Sequence, residues 1–365
     1  TQTNMNVNEV ISNIASQKLG KPLGKYHYLH PNDDVNRSQS TNDVFPAAIQ
    51  IAVIKSISHT LIPELNNLLK ILEKRSIEWN HIIKVGRTHL QDAVPLSLGQ
   101  EVSAWENQIR TAAKRIESSL VELYQLPLGG TAVGTGINAP KRFDNLVAQK
   151  ISALTHQPFK SSTNKFAIMA SHDGLVNSMS QLKNLAVTLF KIINDIRLLS
   201  CGPRAGFAEL SLPENEPGSS IMPGKVNPTQ CEAMAMVCTQ IMGMDTTVSI
   251  AGSGGHLQMN AYKPLIGFNI LKSIELLHDA CYACRTGMIE GIKPNLEKIE
   301  KDLHQSLMLV TAMAPHIGYK KAAEIAQLAH KENTSLKKAA LKLKYVDEKD
   351  LASMLNLQSM VHPHD

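Results

Sequence analysis

The chain has 365 residues, with 37 Lys and Arg against 32 Asp and Glu, and a formal net charge of +5 at pH 7. This length suffices for a large buried core and is typical of two or three domains. The charge excess is small and spread along the chain, and no apolar run of about 18 residues is free of charge. These features argue against a nucleic-acid partner and against a membrane span.

The N-terminal part of the chain begins with Thr and a polar, Asn-rich string over residues 1–9. We interpret it as a fragment whose true N-terminus lies upstream. From Val44 onward, apolar residues recur three and four positions apart, which predicts an amphipathic helix. Pro46 lies near the start of this helix, and Pro63 is expected to kink it.

Further long segments carry the same apolar stripe and are nearly free of internal proline. They predict helices over 97–125, 173–200, 228–250 and 261–290. The second would be about 42 Å long at a rise of about 1.5 Å per residue, so such rods must support one another in a bundle or across an oligomer interface. The predicted fold class is therefore all-α, with a long central helix bundle.

Shorter segments rich in Lys and Ala follow residue 293 and predict helices over 320–332 and 335–344. They suggest a small C-terminal helical domain. The expected organisation is a remnant of an N-terminal domain at 1–37, a central helix-bundle domain at 38–293 and a C-terminal helical domain at 294–365.

The five cysteines are an odd and sparse set for this length, which favours reduced thiols in an intracellular compartment over a disulfide framework. Two of them, Cys281 and Cys284, form a single C-x-x-C pair in a predicted helix. A zinc or redox site would need a second pair or a thioredoxin-like context. Buried core thiols are therefore favoured, and a metal site is the alternative.

Glycine and proline collect in loops between the helices, at 86–95, 126–140, 202–228 and 252–255. The densest stretch, 213–232, combines the hydroxyls of Ser219 and Ser220 with the ammonium of Lys225 and the amide of Asn227. Glycines in this loop allow backbone amides to approach a bound oxygen, which suits a mobile clamp for an anion. A surface Ω-loop with incidental polar residues is the alternative.

Three other patterns permit more than one interpretation. Gly134-x-Gly136-x-x-Ala139 mimics a dinucleotide fingerprint, but it lacks the preceding strand and the following acidic residue, so we interpret it as a decoy. Arg87 is expected to pair either with a buried acid or with an anion. His27-x-x-His30 with neighbouring carboxylates offers metal ligands, although the local amides are equally suited to holding a carboxylate.

The stretch 213–232 resembles the signature of the fumarase/aspartase superfamily, whose members eliminate a group beta to a carboxylate. Other matching motifs cover essentially the whole chain, in order, at 1–9, 30–36, 38–46, 86–93, 129–136 and 306–312. Within the superfamily, Thr88-His89 and the run 223–232 are similar to class II fumarase. Aspartases tend to have Gln at the position of His89 and Ala at that of Gly224.

The resemblance implies reversible hydration of fumarate to L-malate by acid/base catalysis through a carbanion-like intermediate, a step of the tricarboxylic acid cycle. It implies that Ser219 takes the C3 proton and that His89 exchanges a proton with the hydroxyl. A serine base needs its alkoxide stabilised, and backbone donors with Lys225 are the available means. Glu232 would orient His89. The spacing Thr229-x-x-Glu232 also predicts a capping box, and both roles can hold together because a cap fixes the position of the carboxylate.

The remaining site residues also follow from the resemblance. Substrate-binding residues are expected at Thr1, Ser40, Thr41, Asn42, Thr88, Ser220, Lys225, Val226 and Asn227. A second anion site is expected at His27, His30, Pro31, Asn32 and Asp33, with His27 standing where the family has Arg. The resemblance further implies no metal and no organic cofactor, a homotetramer with shared active sites, and a cytoplasmic location, or the mitochondrial matrix in a eukaryote.

Two alternative functions remain. One is a related lyase acting on aspartate or on a succinyl adduct. The other is an inactive superfamily member retained for structural reasons, against which the combined presence of Ser219, Lys225, Asn227 and His89 argues.

Overall fold

The computed structural model describes residues 1–26 and 28–363. Across these residues the chain forms fourteen α-helices and six short strands, so the predicted all-α class is confirmed. The helices are α1 (Gln2–Lys18), α2 (Thr41–Ser56), α3 (Ile62–Glu78), α4 (Leu98–Leu123), α5 (Phe143–Thr155), α6 (Lys165–Ala170), α7 (Asp173–Leu199), α8 (Thr229–Ser253), α9 (Lys263–Cys284), α10 (Leu296–Gln305), α11 (Ala314–Ile317), α12 (Tyr319–Lys331), α13 (Leu336–Leu343) and α14 (Glu348–Met354).

The long apolar-striped segments form helices within a few residues of their predicted limits, as α4, α7, α8 and α9 show. The last of these continues into a π-helical turn at Arg285–Ile289. The two Lys- and Ala-rich segments form α12 and α13. Apolar periodicity is therefore a sound guide to these helices because each of them buries an apolar stripe.

The polar N-terminal string lies inside α1, which apolar periodicity did not indicate. The buried face of α1 is polar, with buried residues four positions apart at Asn4, Asn8, Ser12 and Ser16. The amides of Asn4 and Asn8 both donate to Asn36 Oδ1 at 3.1 Å. Polar contacts, rather than an apolar stripe, hold this face.

The predicted helix from Val44 is interrupted close to Pro63, as expected. A π-helical turn, Ile57–Leu61, separates α2 from α3, and Pro63 is the second residue of α3. Proline has no N–H to donate to the carbonyl four residues earlier, so the wider turn accommodates the missing bond. The stretch 41–78 is long and apolar enough to cross a membrane, but core helices of soluble proteins pass the same test.

The strands form three short pairs. They are β1 (Ile83–Thr88) with β2 (Gln91–Ser97), antiparallel; β3 (Gln125–Leu126) with β4 (Lys160–Ser161), parallel; and β5 (Leu210–Ser211) with β6 (Lys293–Pro294), antiparallel. The prediction of a loop at 86–95 is therefore wrong, because most of these residues belong to the β1–β2 hairpin. The register shifts between Val85 and Arg87, where a Cβ on Gly86 would lie 2.4 Å from the Val94 carbonyl oxygen. Glycine here marks a bulge rather than a loop.

The described chain divides into two compact units. Unit 1 comprises Thr1–Asn66, Thr111–Phe190 and Met234–Cys281; unit 2 comprises Asn67–Arg110, Lys191–Ala233 and Tyr282–Asp365. Within unit 2, the C-terminal helices share an apolar cluster that includes Leu303, Met313, Ile325 and Ala339. The expected domain limits at 37 and 293 stay a prediction.

The C-x-x-C cysteines, Cys281 and Cys284, are buried, at 0% and 5% exposed. Burial also raises the pKa of the Cys231 and Cys238 thiols to about 12. No group of three or more His, Cys, Asp or Glu side chains with metal-binding geometry occurs within residues 1–26 and 28–363.

Candidate active site

The β1–β2 hairpin presents His89 at its tip. Thr88 pairs with Gln91, so His89 and Leu90 form a two-residue turn. Both have left-handed backbone conformations, with φ of 55° and 60°. Such a turn matches the twist of the flanking strands although neither residue is glycine or asparagine. The exposed His89 ring is thus held just beyond the strands, next to the equally exposed Thr88.

Buried charges anchor this hairpin. The Glu209 carboxylate, 1% exposed, accepts from Arg87 Nη1 at 2.5 Å and lies 2.8 Å from Lys84 Nζ. Lys84 also pairs with Glu101 at 2.8 Å, and the Arg87 guanidinium lies 4.4 Å from the centre of the Phe207 ring. Arg87 therefore pairs with a buried acid, which settles the choice that the sequence left open.

The Ser219 hydroxyl is surrounded by backbone donors. Its Oγ accepts from the N–H groups of Ile221 and Met222 at 3.4 and 3.2 Å, while its own N–H donates to the Lys225 carbonyl at 2.8 Å. Gly218 has a φ of 80°, and a Cβ there would lie 2.8 Å from that same carbonyl oxygen. This tight loop holds two N–H groups against an oxygen that they would stabilise as an alkoxide.

The other polar residues of the loop lie next to Ser219. Lys225 Nζ donates to Asn227 Oδ1 at 2.5 Å. Ser220 and Lys225 are exposed, whereas Val226 and Asn227 are half-buried. The exposed ammonium and hydroxyl are accessible to an anion.

Glu232 contacts a cation rather than the histidine. Its Oε1 accepts from Arg197 Nη2 at 3.1 Å, and no hydrogen bond joins it to His89 in the described part of unit 2. α8 begins at Thr229, and the Glu232 N–H donates to the Pro228 carbonyl. A capping box with Thr229 as the N-cap would instead require the helix to begin one residue later.

The segment 40–42 lies at the start of α2 in unit 1. Ser40 is the N-cap, with its Oγ accepting from the Asn42 N–H at 3.2 Å, and Thr41 is the first residue of the helix. The Asn42 side-chain amide donates to the Ala132 carbonyl at 2.8 Å. This contact joins the segment to the glycine-rich loop at 129–136.

Asp43 was not among the predicted site residues, yet it connects the segment 40–42 to the glycine-rich loop at 129–136. Its fully buried carboxylate accepts from the N–H groups of Ser40 (2.9 Å), Gly129 (3.1 Å) and Thr131 (2.9 Å). Burial raises the pKa of this carboxyl, and the backbone donors oppose that shift. The capping-box spacing Ser40-x-x-Asp43, with Asp in place of the usual Glu or Gln, is a sequence signal from which Asp43 could have been identified.

The expected second anion site centres on a π-helical turn, Pro31–Val35. His30 is its N-cap, and the ring Nδ1 accepts from the N–H groups of Asn32 and Asp33, both at 3.2 Å. Nδ1 is thus engaged within the turn, which leaves the other ring nitrogen to face a ligand. Asp33 and Asn32 are exposed and Pro31 is buried; His27 lies outside the described residues. Thr1 is exposed, and its carbonyl accepts from the Met5 N–H at 3.0 Å.

Comparison with known proteins agrees with this fold and these motifs. The lyase family model matches residues 1–243, and the fumarase C C-terminus model matches residues 309–362. The fold and the matched motifs therefore define a lyase.

Individual relatives show which kind of lyase the chain resembles. The chain is 65% identical over 356 residues to "Fumarate hydratase class II" from Prochlorococcus marinus (strain MIT 9313), covering 98% of this chain and 76% of that protein. It is 52% identical to "Fumarate hydratase, mitochondrial" from Rhizopus oryzae, covering 100% and 74%. The crystal structure of class II fumarase from Schistosoma mansoni matches with a TM-score of 0.97 and 42% identity, over 100% of this chain and 79% of that one. The chain belongs to the class II fumarase family and has its helix-bundle fold.

Proposed function

We propose that this chain is a hydro-lyase that reversibly hydrates fumarate to L-malate, a reaction of the tricarboxylic acid cycle. The observation that carries this is the near-full-length identity with fumarate hydratases, joined to a loop in which Ser219 accepts two backbone hydrogen bonds. The loop geometry supports the proton-abstraction chemistry, and the similarity to the relatives supports the identity of the substrate.

Removal of the C3 proton of malate generates a second negative charge next to a carboxylate, so the site must stabilise that charge while it forms. Ser219 acts as the base. The N–H groups of Ile221 and Met222 stabilise its alkoxide, and the nearby ammonium of Lys225 adds positive charge. Because these donors are fixed by the loop backbone, no reorganisation is needed when the charge develops.

The hydroxyl that leaves C2 needs a proton, and His89 is the group suited to provide it, directly or through a water molecule. Imidazole can both donate and accept a proton, and the ring is exposed at the hairpin tip. Glu232 orients His89 when the complete site forms; Arg197 holds its carboxylate until then.

The substrate carboxylates bind to Lys225, Asn227, Ser220 and Thr88, with Thr1, Val226 and the segment 40–42 completing the pocket. Ammonium, hydroxyl and amide donors of this kind suit a dianion. The turn at 30–33 forms a second, separate anion site.

A homotetramer brings the segments together. His89 and Glu232 make no hydrogen bond within the described part of one chain, and large apolar side chains are exposed on long helices: Phe190 and Val187 on α7, Ile250 on α8, and Phe268 on α9. Surfaces of this kind are typical of subunit contacts. The named relatives include bacterial and mitochondrial proteins, which supports a cytoplasmic or mitochondrial-matrix location.

Paired assays test the proposal. Malate should yield fumarate, followed by the ultraviolet absorbance of its double bond, and aspartate should release no measurable ammonia. Efficient ammonia release would reassign the chain to an aspartate lyase, and inactivity of the confirmed tetramer with both substrates would favour a structural role.

A further inference from the structure

Lys263 is a buried cation that the proposed mechanism does not use. It is the first residue of α9 and is 6% exposed. Asn260, fully buried, fixes the preceding turn by donating to the carbonyls of Ala251 and Gly252 at 2.9 and 3.2 Å and accepting from the Tyr262 N–H at 2.8 Å. The ammonium is therefore placed by a rigid turn rather than by a flexible surface loop.

No hydrogen bond or ion pair is made by the Lys263 ammonium among the described residues of unit 1. Asp43 is near enough for its charge to favour the protonated amine, while burial lowers the lysine pKa. The Asp43 oxygens accept from three backbone N–H groups, and no hydrogen bond joins them to Lys263 among the described residues of unit 1. A largely buried ammonium without a hydrogen-bonded partner is unfavourable, so an anion that accepts a hydrogen bond from it would stabilise this site.

The neighbouring imidazole does not serve as that partner. His172 is 5% exposed, and burial together with the Lys263 charge lowers its pKa to about 4. The ring is thus neutral near pH 7 and offers no negative charge. His172 therefore does not offset the charge of Lys263.

A second buried donor lies in the same cluster. The Thr131 hydroxyl has no hydrogen-bond partner, although the residue is only 4% exposed. The Thr131 N–H binds Asp43, and the next residue, Ala132, accepts from the Asn42 amide. An unpaired hydroxyl and an unpaired ammonium therefore adjoin the segment proposed to bind substrate.

We infer that Lys263 and Thr131 bind one carboxylate of the substrate, together with Asn42. This inference rests on the proposed function for the identity of the anion. A carboxylate has two oxygens with four acceptor positions, enough to satisfy both the ammonium and the hydroxyl. The positive charge of Lys263 and the donor groups of Thr131 and Asn42 favour an anion over a cation.

The test compares Lys263→Met and Thr131→Val with the wild type. Each replacement removes the polar group and keeps most of the side-chain volume. We expect the KM for malate and the inhibition constant of succinate, an unreactive dicarboxylate, to rise at least tenfold in Lys263→Met, equivalent to about 1.4 kcal/mol. Thr131→Val should raise both constants by a smaller factor.

Lys183→Met is the matched control. Lys183 is a lysine of the same unit, but it already pairs with Asp245 at 3.0 Å, so both constants should stay within twofold of the wild type. Thermal unfolding separates binding from structure. Loss of an unpaired buried charge should leave the melting temperature of Lys263→Met unchanged or raised, whereas a purely structural lysine would lower it.

Constants within twofold of the wild type in a folded Lys263→Met tetramer would overturn the inference, as would a rise matched by Lys183→Met. If Lys263→Met does not assemble, the KM for malate and the inhibition constant of succinate in Thr131→Val decide the question instead. Succinate binding is also measured by calorimetry on the wild-type protein. A wild type that binds succinate in a Lys263-dependent way but does not hydrate fumarate would refute the proposed activity and leave the anion site intact.

Discussion

Replacement of Glu209 by Gln tests how the His89 hairpin is held. The carboxylate is 1% exposed and contacts two cations, Arg87 at 2.5 Å and Lys84 at 2.8 Å. At an effective dielectric constant of about 20, a pair of unit charges at the latter distance interacts by about 6 kcal/mol before desolvation is counted. Gln keeps one acceptor but turns an amide donor toward a buried cation. We expect a net loss of about 3 to 5 kcal/mol, the range for breaking a buried pair by removing one partner.

Urea denaturation followed by circular dichroism, at fixed subunit concentration, measures this loss. Glu73→Gln is the control, because Glu73 is 61% exposed and lies 3.7 Å from Arg110; it should change stability by no more than about 0.5 kcal/mol. At urea concentrations where the Glu209→Gln protein remains folded, kcat should fall because the hairpin bearing His89 is less firmly fixed. Equal denaturation midpoints for Glu209→Gln and the wild type would refute the claim that this carboxylate anchors the hairpin.

Other perturbations separate the roles of single groups. His89→Asn should lower kcat more than Glu232→Gln, measured on confirmed tetramers; the reverse order would make Glu232 the proton-transfer group. Chelators should leave activity unchanged, and activity lost with chelator and restored by iron would contradict a metal-independent mechanism. The folded protein lowers the pKa of His172 from 6.5 to about 4. As the pH falls from 6.5 to 4, the unfolded chain therefore binds a proton at His172 that the folded protein does not, and the free energy of unfolding decreases. His172→Gln should flatten the fall in thermal-unfolding midpoints between pH 6.5 and 4, and an unchanged slope would show that other groups cause it.

Local sequence patterns predict the helices well because each long helix buries one apolar stripe, as in α4 and α7. They fail at the hairpin. Gly86 there forms a bulge inside a strand rather than a loop, and the turn at His89 and Leu90 adopts positive φ without glycine or asparagine. Residue-type preferences do not anticipate a turn that the flanking strands impose.

In the candidate site, too, the sequence predicts some features and not others. Ser219 and its loop follow from composition, since Gly218 and a run of small residues imply close backbone approach. The partner of Arg87 does not, because Glu209 lies 122 residues further along the chain. Asp43 was overlooked for a different reason: its neighbours Ser40 to Asn42 drew the functional interpretation, while the residue that positions them is fully buried.

Turnover of Ser219→Ala is the most direct test of the central claim, that a loop serine held by backbone donors is the base of a fumarate hydratase. The measurement is the steady-state rate of fumarate formation from malate, on a tetramer confirmed by light scattering. We predict a fall in kcat at least as large as that of His89→Asn, with each factor of ten equal to about 1.4 kcal/mol of barrier, and little change in KM. Near-normal turnover would show that the loop only binds carboxylate and that the base lies elsewhere.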